Sequence, residues 1–220
     1  MINLNLKSET KITQSNTFFL ENGVKNINIE NNSEIILSGQ IKFGENISLS
    51  GKITIFDGAI IENGCILKNV NIGKKNTIRA YSILENSEFG DKNIIGPFCF
   101  VRDNTKVGNE CIVGNQVELA RSTLANGVKI SHQAFMGDMI IDQDTIIGAG
   151  CISCNYSEGK RYLSKIGSFS VIGSGSLLVS PVNVGNNVIV GAGSVVLKDI
   201  SNNTKLIQKR KWLFKKWVNC

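Results

Sequence analysis

The chain has 220 residues, with 24 Lys and Arg against 18 Asp and Glu, six Cys, two Pro and a single His. At 42% apolar and 19% charged residues it holds enough hydrophobic sequence for a packed core, which excludes disorder along its whole length. The net charge of +6 is a tail property: six cations and no acidic residue follow Asp199, so the chain before it holds 18 of each sign and lacks the basic folded face of a nucleic-acid binder.

The N-terminal stretch Met1 to Lys11 lacks the basic-then-apolar order of a secretion signal, and no window reaches the roughly 18 consecutive apolar residues of a membrane span, so a cytoplasmic location is the expectation. Alternation of Ile2, Leu4 and Leu6, then Val24, Ile27 and Ile29, predicts a β cap or irregular first coils over 1–34. From there large apolar residues recur at every sixth position, as Leu37, Phe43, Leu49, Ile55, Ile61 and Leu67. A second candidate inward residue stands two before each: Ile35, Ile41, Ile47, Ile53, Ala59 and Cys65. The ladder resumes as Ile95, Val101, Val107, Val113 and Leu119, and again from Ile166 to Val196. A period of six fits neither a helix nor a two-sided strand. It fits short strands joined by tight corners, where Gly73, Gly96, Gly108, Gly114, Gly148 and Gly173 supply the turning residues. Three hexads make one triangular coil of about 18 residues, and roughly nine such coils stacked at about 4.8 Å form a parallel β-helix over 35–200.

Residues one coil apart stand above one another. Two positions after each anchor lie His132, Ala149, Ser174 and Ala192, a column of small residues headed by the lone imidazole. The spacing from His132 to Ala149 is 17 and from Ser174 to Ala192 is 18, but from Ala149 to Ser174 it is 25. The excess is an inserted loop near 154–162, polar and aromatic, on a scaffold with no structural reason to bulge there. Histidine is the side chain type best suited to proton transfer near neutrality, which makes His132 the candidate base. Cys151 and Cys154 have a zinc-like spacing, but no second close pair completes a tetrahedral site. Cys65, Cys99, Cys111 and Cys151 sit two before ladder positions and read as small core residues, and no metal is predicted. The final 201–220 form a basic arm bearing Trp212, Phe214 and Trp217. Three readings stand for it: coenzyme-phosphate contact, peripheral membrane contact, or packing on the prism or a neighbouring chain.

The runs Gly96-Pro97-Phe98, Gly114-Asn115-Gln116-Val117-Glu118, Ser131-His132, Gly137-Asp138, Cys154-Asn155-Tyr156 and Ile172-Gly173-Ser174 closely resemble the acetyltransferase domain of a bifunctional family. That family is the glucosamine-1-phosphate acetyltransferase/N-acetylglucosamine-1-phosphate uridyltransferases. The similarity runs from about Ile41 to Lys209, and nothing here resembles the family's nucleotide loop. The resemblance implies a left-handed β-helix, a homotrimer with active sites between subunits, and acetyl transfer from acetyl-CoA to an amino-sugar phosphate, without uridyl transfer. By position it makes His132 the general base, Glu118 its orienting carboxylate and Asn155 a catalytic partner. It places Ala149, Asn155, Tyr156, Ser174, Ala192 and Lys209 on the coenzyme. Arg102, Phe135 and Arg161 fall on the acceptor, with Arg121 as a neighbouring cation. Three positions depart: Ala120 and Phe135 replace a Lys and a Tyr that serve the sugar phosphate, and Ile146 replaces a sugar-contacting Asn. Losing several bonds to a charged group, each worth about 1.5–3 kcal/mol, leaves two outcomes: Arg121 compensates or the acceptor differs. The leading reading is an N-acetyltransferase in UDP-N-acetylglucosamine biosynthesis. The alternatives are a catalytically idle scaffold or membrane-docking module that uses the basic tail, and a sugar O-acetyltransferase.

Overall fold

The computed structural model describes residues 1–13 and 17–209. It is the parallel β-helix that the hexads predict, left-handed as the resemblance implies. One wall is an eleven-stranded sheet. Its first strand, Ile2–Asn5, is antiparallel to Gln40–Phe43, and every later rung is parallel up to Lys205–Leu206. The other two walls run into one another as a single closed sheet.

The register makes the inward ladder literal. Phe43, Ile61, Ile78, Ile95, Val113, Ile130, Ile147, Ile172 and Val190 stand in one column, each paired with the next. All are buried, as are the anchors from Leu37 to Leu67 and the second inward series from Ile35 to Cys65. Each such side chain contributes about 1.5–3 kcal/mol of burial. Cys65, Cys99, Cys111 and Cys151 lie in this core as free thiols. Farther along, the second series turns polar. Asn76 lies two before Ile78 and donates to the carbonyls of Gly73 and Gly90 at 2.8 and 2.7 Å, while its own oxygen accepts from the Asn93 N–H at 2.9 Å. A buried amide ladder thus satisfies corner carbonyls that an apolar residue would strand.

The glycines behind the anchors act differently from the expectation. Of Gly73, Gly96, Gly108, Gly114, Gly148 and Gly173, only Gly96 has a positive φ, at 92°. The left-handed corners are carried largely by other residues, such as Asn69, Asn86, Asp103, Arg121 and Asp138. Those glycines are instead required by close approach between coils: a Cβ on Gly148 would lie 2.4 Å from the Ser174 nitrogen, and one on Gly173 2.5 Å from that of Ala192.

Each end of the stack carries a covering device among the described residues. Thr10–Thr13 pairs antiparallel with Glu34–Leu37, and a one-turn helix, Thr17–Glu21, drives Phe19 into the open end. Its ring meets that of Phe43 edge-on at 5.3 Å. At the other end the Gln208 side chain imitates a strand, accepting from the Val195 N–H at 2.9 Å and donating to its carbonyl at 2.8 Å. These devices cover edges that would otherwise pair with other chains. Among the described residues no helix is long and apolar enough to cross a membrane. The arm beyond Lys209, with its aromatic residues, lies outside the described residues.

Candidate active site

His132 ends the strand Lys129–His132, level with Asn115 on the preceding coil, at the corner where that wall meets the next. Its side chain is exposed and makes no hydrogen bond or ion pair with any described residue. The corner continues upward in small residues. The Gly150 N–H donates to the Gln133 carbonyl at 2.9 Å, Gly175 to Ala149 at 2.8 Å and Gly193 to Ser174 at 2.7 Å. The N–H groups of Gly148 and Gly150 are engaged in this stacking, whereas that of Ala149, between them, donates to no described residue. An exposed imidazole, a free N–H one coil above it and a floor of Ala, Ser and Gly therefore share one edge.

The inserted loop is a hairpin. Tyr156–Ser157 pairs with Lys160–Arg161, and positive φ at Glu158 (48°) and Gly159 (75°) gives a two-residue turn whose twist matches its strands. Tyr156 and Arg161 face each other across it, and both are exposed. Asn155 at its base is buried, and its amide donates to Asp138 Oδ2. The Phe135 ring closes on the same spot: a Cβ on Gly137 would lie 2.6 Å from Asn155 Nδ2 and 2.7 Å from Phe135 Cζ.

At the far end of that wall lies a charged strip that the sequence reading did not foresee as a unit. Arg121 Nε and Nη2 donate to the two oxygens of Asp138 at 2.8 and 3.1 Å, and its Nη1 donates to Asp103 Oδ2 at 2.7 Å. Arg102 Nε and Nη2 donate to Glu118 Oε1 at 3.2 and 2.7 Å, and its Nη1 also donates to Asp103 Oδ2. Asp103, Arg121 and Asp138 occupy successive coils at one left-handed corner, which is why residues so far apart in sequence touch. Partial burial pushes the Asp138 carboxyl upward. The hydrogen bonds from Arg121 and Asn155, with the charges of Arg121 and Arg161, outweigh it and hold the group below its ordinary value.

The structure thus brings together Arg102, Glu118, Arg121, Phe135 and Asn155 in one patch, with Arg161 close enough to act on Asp138. His132 with Ala149, Ser174 and Ala192 forms the neighbouring corner. One expected contact is not made among the described residues. Glu118 is engaged by Arg102 and does not bond His132, since the two stand on different walls. Lys209 is exposed and bonds no described residue. Ala120 is buried and Ile146 is exposed, so neither supplies a polar group here. Two concavities among the described residues are lined by Lys52, Asn69, Asn86 and Asn104, and by Asn3, Gln40 and Lys42, and neither includes His132. Among the described residues no cluster of His, Cys, Asp and Glu could hold a metal ion.

The chain is similar in sequence to known proteins over about four fifths of its length. A bifunctional protein GlmU of Acinetobacter baumannii is 36% identical over 185 residues, covering 81% of this chain and 41% of the relative. One of Baumannia cicadellinicola is 35% identical over 179 residues, covering 79% and 38%. The chain is GlmU-like. It spans about two fifths of the length of these relatives, and the resemblance read from the motifs is borne out. No protein-family model matches the GlmU-like chain. Among solved structures, the acetyltransferase domain of PglB from Neisseria gonorrhoeae in complex with acetyl coenzyme A is 25% identical with a TM-score of 0.36, covering 55% of this chain and 50% of that one. An Arabidopsis UDP-N-acetylglucosamine acyltransferase is 12% identical with a TM-score of 0.49, covering 80% and 67%.

Proposed function

We propose that the chain transfers the acetyl group of acetyl-CoA to the amine of an amino-sugar phosphate, with glucosamine-1-phosphate the leading acceptor. The observation that carries this reading is His132: an exposed imidazole without an internal partner, at the edge lined by Ala149, Ser174 and Ala192. The GlmU similarity adds the reaction class.

In this mechanism the acceptor nitrogen attacks the thioester carbonyl, His132 takes the amine proton as the C–N bond forms, and the C–S bond breaks to release the coenzyme thiol. The free Ala149 N–H stabilises the charge developing on the carbonyl oxygen, because a small residue lets that oxygen approach the backbone. Both bonds from Arg102 fall on Glu118 Oε1, so Oε2 is left to orient the imidazole of a neighbouring copy rather than His132 of its own chain. Asn155 and Tyr156 bound the reacting centre, and Arg102 and Arg161 attract the acceptor's phosphate. One flat wall offers no deep pocket, so a neighbouring copy in a trimer supplies the second wall. Thiol release from acetyl-CoA is the test, with glucosamine, glucosamine-1-phosphate and other amino sugars as acceptors. Product analysis separates N- from O-acetylation. Absence of thiol release with every acceptor overturns the reading.

A further inference from the structure

Two arginines on successive coils aim at one point. Arg102 Nη1 and Arg121 Nη1 both donate to a single oxygen, Asp103 Oδ2. Two guanidinium forks meeting on one carboxylate oxygen describe an oxyanion position, and here the chain's own side chain fills it.

The remaining bonds show that this position does not depend on Asp103. Arg121 keeps a bidentate pair with Asp138, and Arg102 keeps two bonds to Glu118, so each guanidinium is aimed by a different carboxylate. Asp138 is itself fixed by Asn155 and is 14% exposed, whereas Asp103 is 41% exposed and uses one oxygen. Asp103 is the most exposed carboxylate of the three and the one whose departure leaves both arginines in place.

We propose that Asp103 is an internal placeholder for the acceptor's phosphoryl group, which binds by displacing it from Arg102 and Arg121. Arg121 thereby becomes an acceptor-binding residue, and Asp103 sets how tightly phosphate-bearing acceptors are held. This inference rests on the proposed acetyl transfer for the identity of the ligand, but not for its test.

The test titrates the full chain with inorganic phosphate by calorimetry, without coenzyme. Removing the competing charge with Asp103→Asn is expected to tighten phosphate binding by about tenfold, the equivalent of one charge-assisted hydrogen bond. Asp103→Ser is expected to do the same, and thermal melting confirms that each variant is folded. Adding Arg121→Met to Asp103→Asn is expected to abolish the gain. In thiol release, D103N is expected to lower the KM for glucosamine-1-phosphate while leaving that for acetyl-CoA and for unphosphorylated glucosamine unchanged. Phosphate binding that is undetectable, unchanged or weaker in both Asp103 variants overturns the proposal, as does a gain that survives R121M. A fall in KM for acetyl-CoA instead overturns the assignment to the acceptor. Failure of acetyl transfer with every acceptor would sink the proposed activity and leave the phosphate titration standing.

Discussion

Gly114 joins the stability of the stack to the position of the imidazole. It lies in the strand Ile112–Asn115, one coil below Ser131, the residue before His132. A Cβ added there would sit 1.9 Å from the Ser131 carbonyl oxygen, 2.6 Å from its carbonyl carbon and 2.9 Å from its Cα. The first of these is roughly 1.5 Å inside ordinary van der Waals contact, and all three atoms are backbone, so no rotamer relieves the clash. The Ser131 peptide cannot tip aside either. Ile130 is paired with Val113 below and Ile147 above, and the Gln133 N–H is bonded to the Asn115 carbonyl at 2.8 Å. Gly114→Ala must therefore part the two coils. Overpacking costs about 1–3 kcal/mol and a weakened backbone bond about 0.5–1.5 more. At about 2–4 °C per kcal/mol for a chain of this size, the melting temperature followed by circular dichroism should fall by about 3–18 °C. Thiol release should fall further than stability alone explains, since a displacement of about 1 Å can cost about a hundredfold in rate. Gly150→Ala is the control. Its φ of +72° makes a side chain strained, at about 1–2 kcal/mol, but the nearest atoms to its Cβ are 3.8 Å away. If G114A melts no lower than G150A, close approach between coils is not what selects glycine at this position.

His132→Ala should lower turnover by about 10² to 10⁴ with acetyl-CoA binding retained, measured by thiol release and by coenzyme titration; unchanged turnover removes the general-base assignment. Phe19→Ala should cost about 3–5 kcal/mol, read in a denaturant melt, because the ring is fully buried against Phe43 at the open end of the prism. Burial pushes the thiols of Cys65 and Cys99 up to about 11 and about 12, and raises Cys111 and Cys151 as well. In the folded protein these four should resist a thiol reagent that modifies half-buried Cys154. A thiol kept protonated in the fold but ionised in the unfolded chain stabilises fully below its ordinary pKa of 9.0. Cys65 should therefore withdraw about 1.4 kcal/mol per pH unit as the pH rises from 9 towards 11, and Cys99 from 9 towards 12. A melting temperature flat over that window would contradict their burial.

The hexads made the prism legible because stacking turns sequence spacing into contact, with one column for each position of the coil. Buried apolar residues at a fixed interval therefore declare themselves, and so does the His132 column with the interruption at the hairpin. What spacing does not carry is which way a long side chain reaches. Arg102 and Arg121 were visible as separate cations, but their convergence on Asp103 depends on three residues at a left-handed corner being one coil apart in space. The same blindness affected the glycines. Sequence cannot distinguish a glycine needed for its φ from one needed because the next coil's backbone passes within reach, and most of those behind the anchors are of the second kind. The plug helix Thr17–Glu21 was hidden for a simpler reason: five residues are too few to show a helical period.

The isolated imidazole and the crowded charged strip follow from one geometry. Each wall of the prism between His132 and Asp138 is only a three-residue strand, Phe135–Gly137, about 10 Å long. A short wall has no room for a pocket of its own, so polar groups on it either satisfy one another or wait for a partner. At the Asp138 corner opposite charges alternate from coil to coil and close on themselves. At the His132 corner the neighbours above are Ala149, Ser174 and Ala192, too short to reach the ring, and it stays unpartnered. The general base proposed for His132 would need its lone pair unclaimed until substrate arrives, and an edge of small residues leaves it so without a cavity. A second chain laid along that edge would convert it into an enclosed cleft, and a monomeric form of this protein should therefore bind coenzyme weakly even with every residue of the column intact.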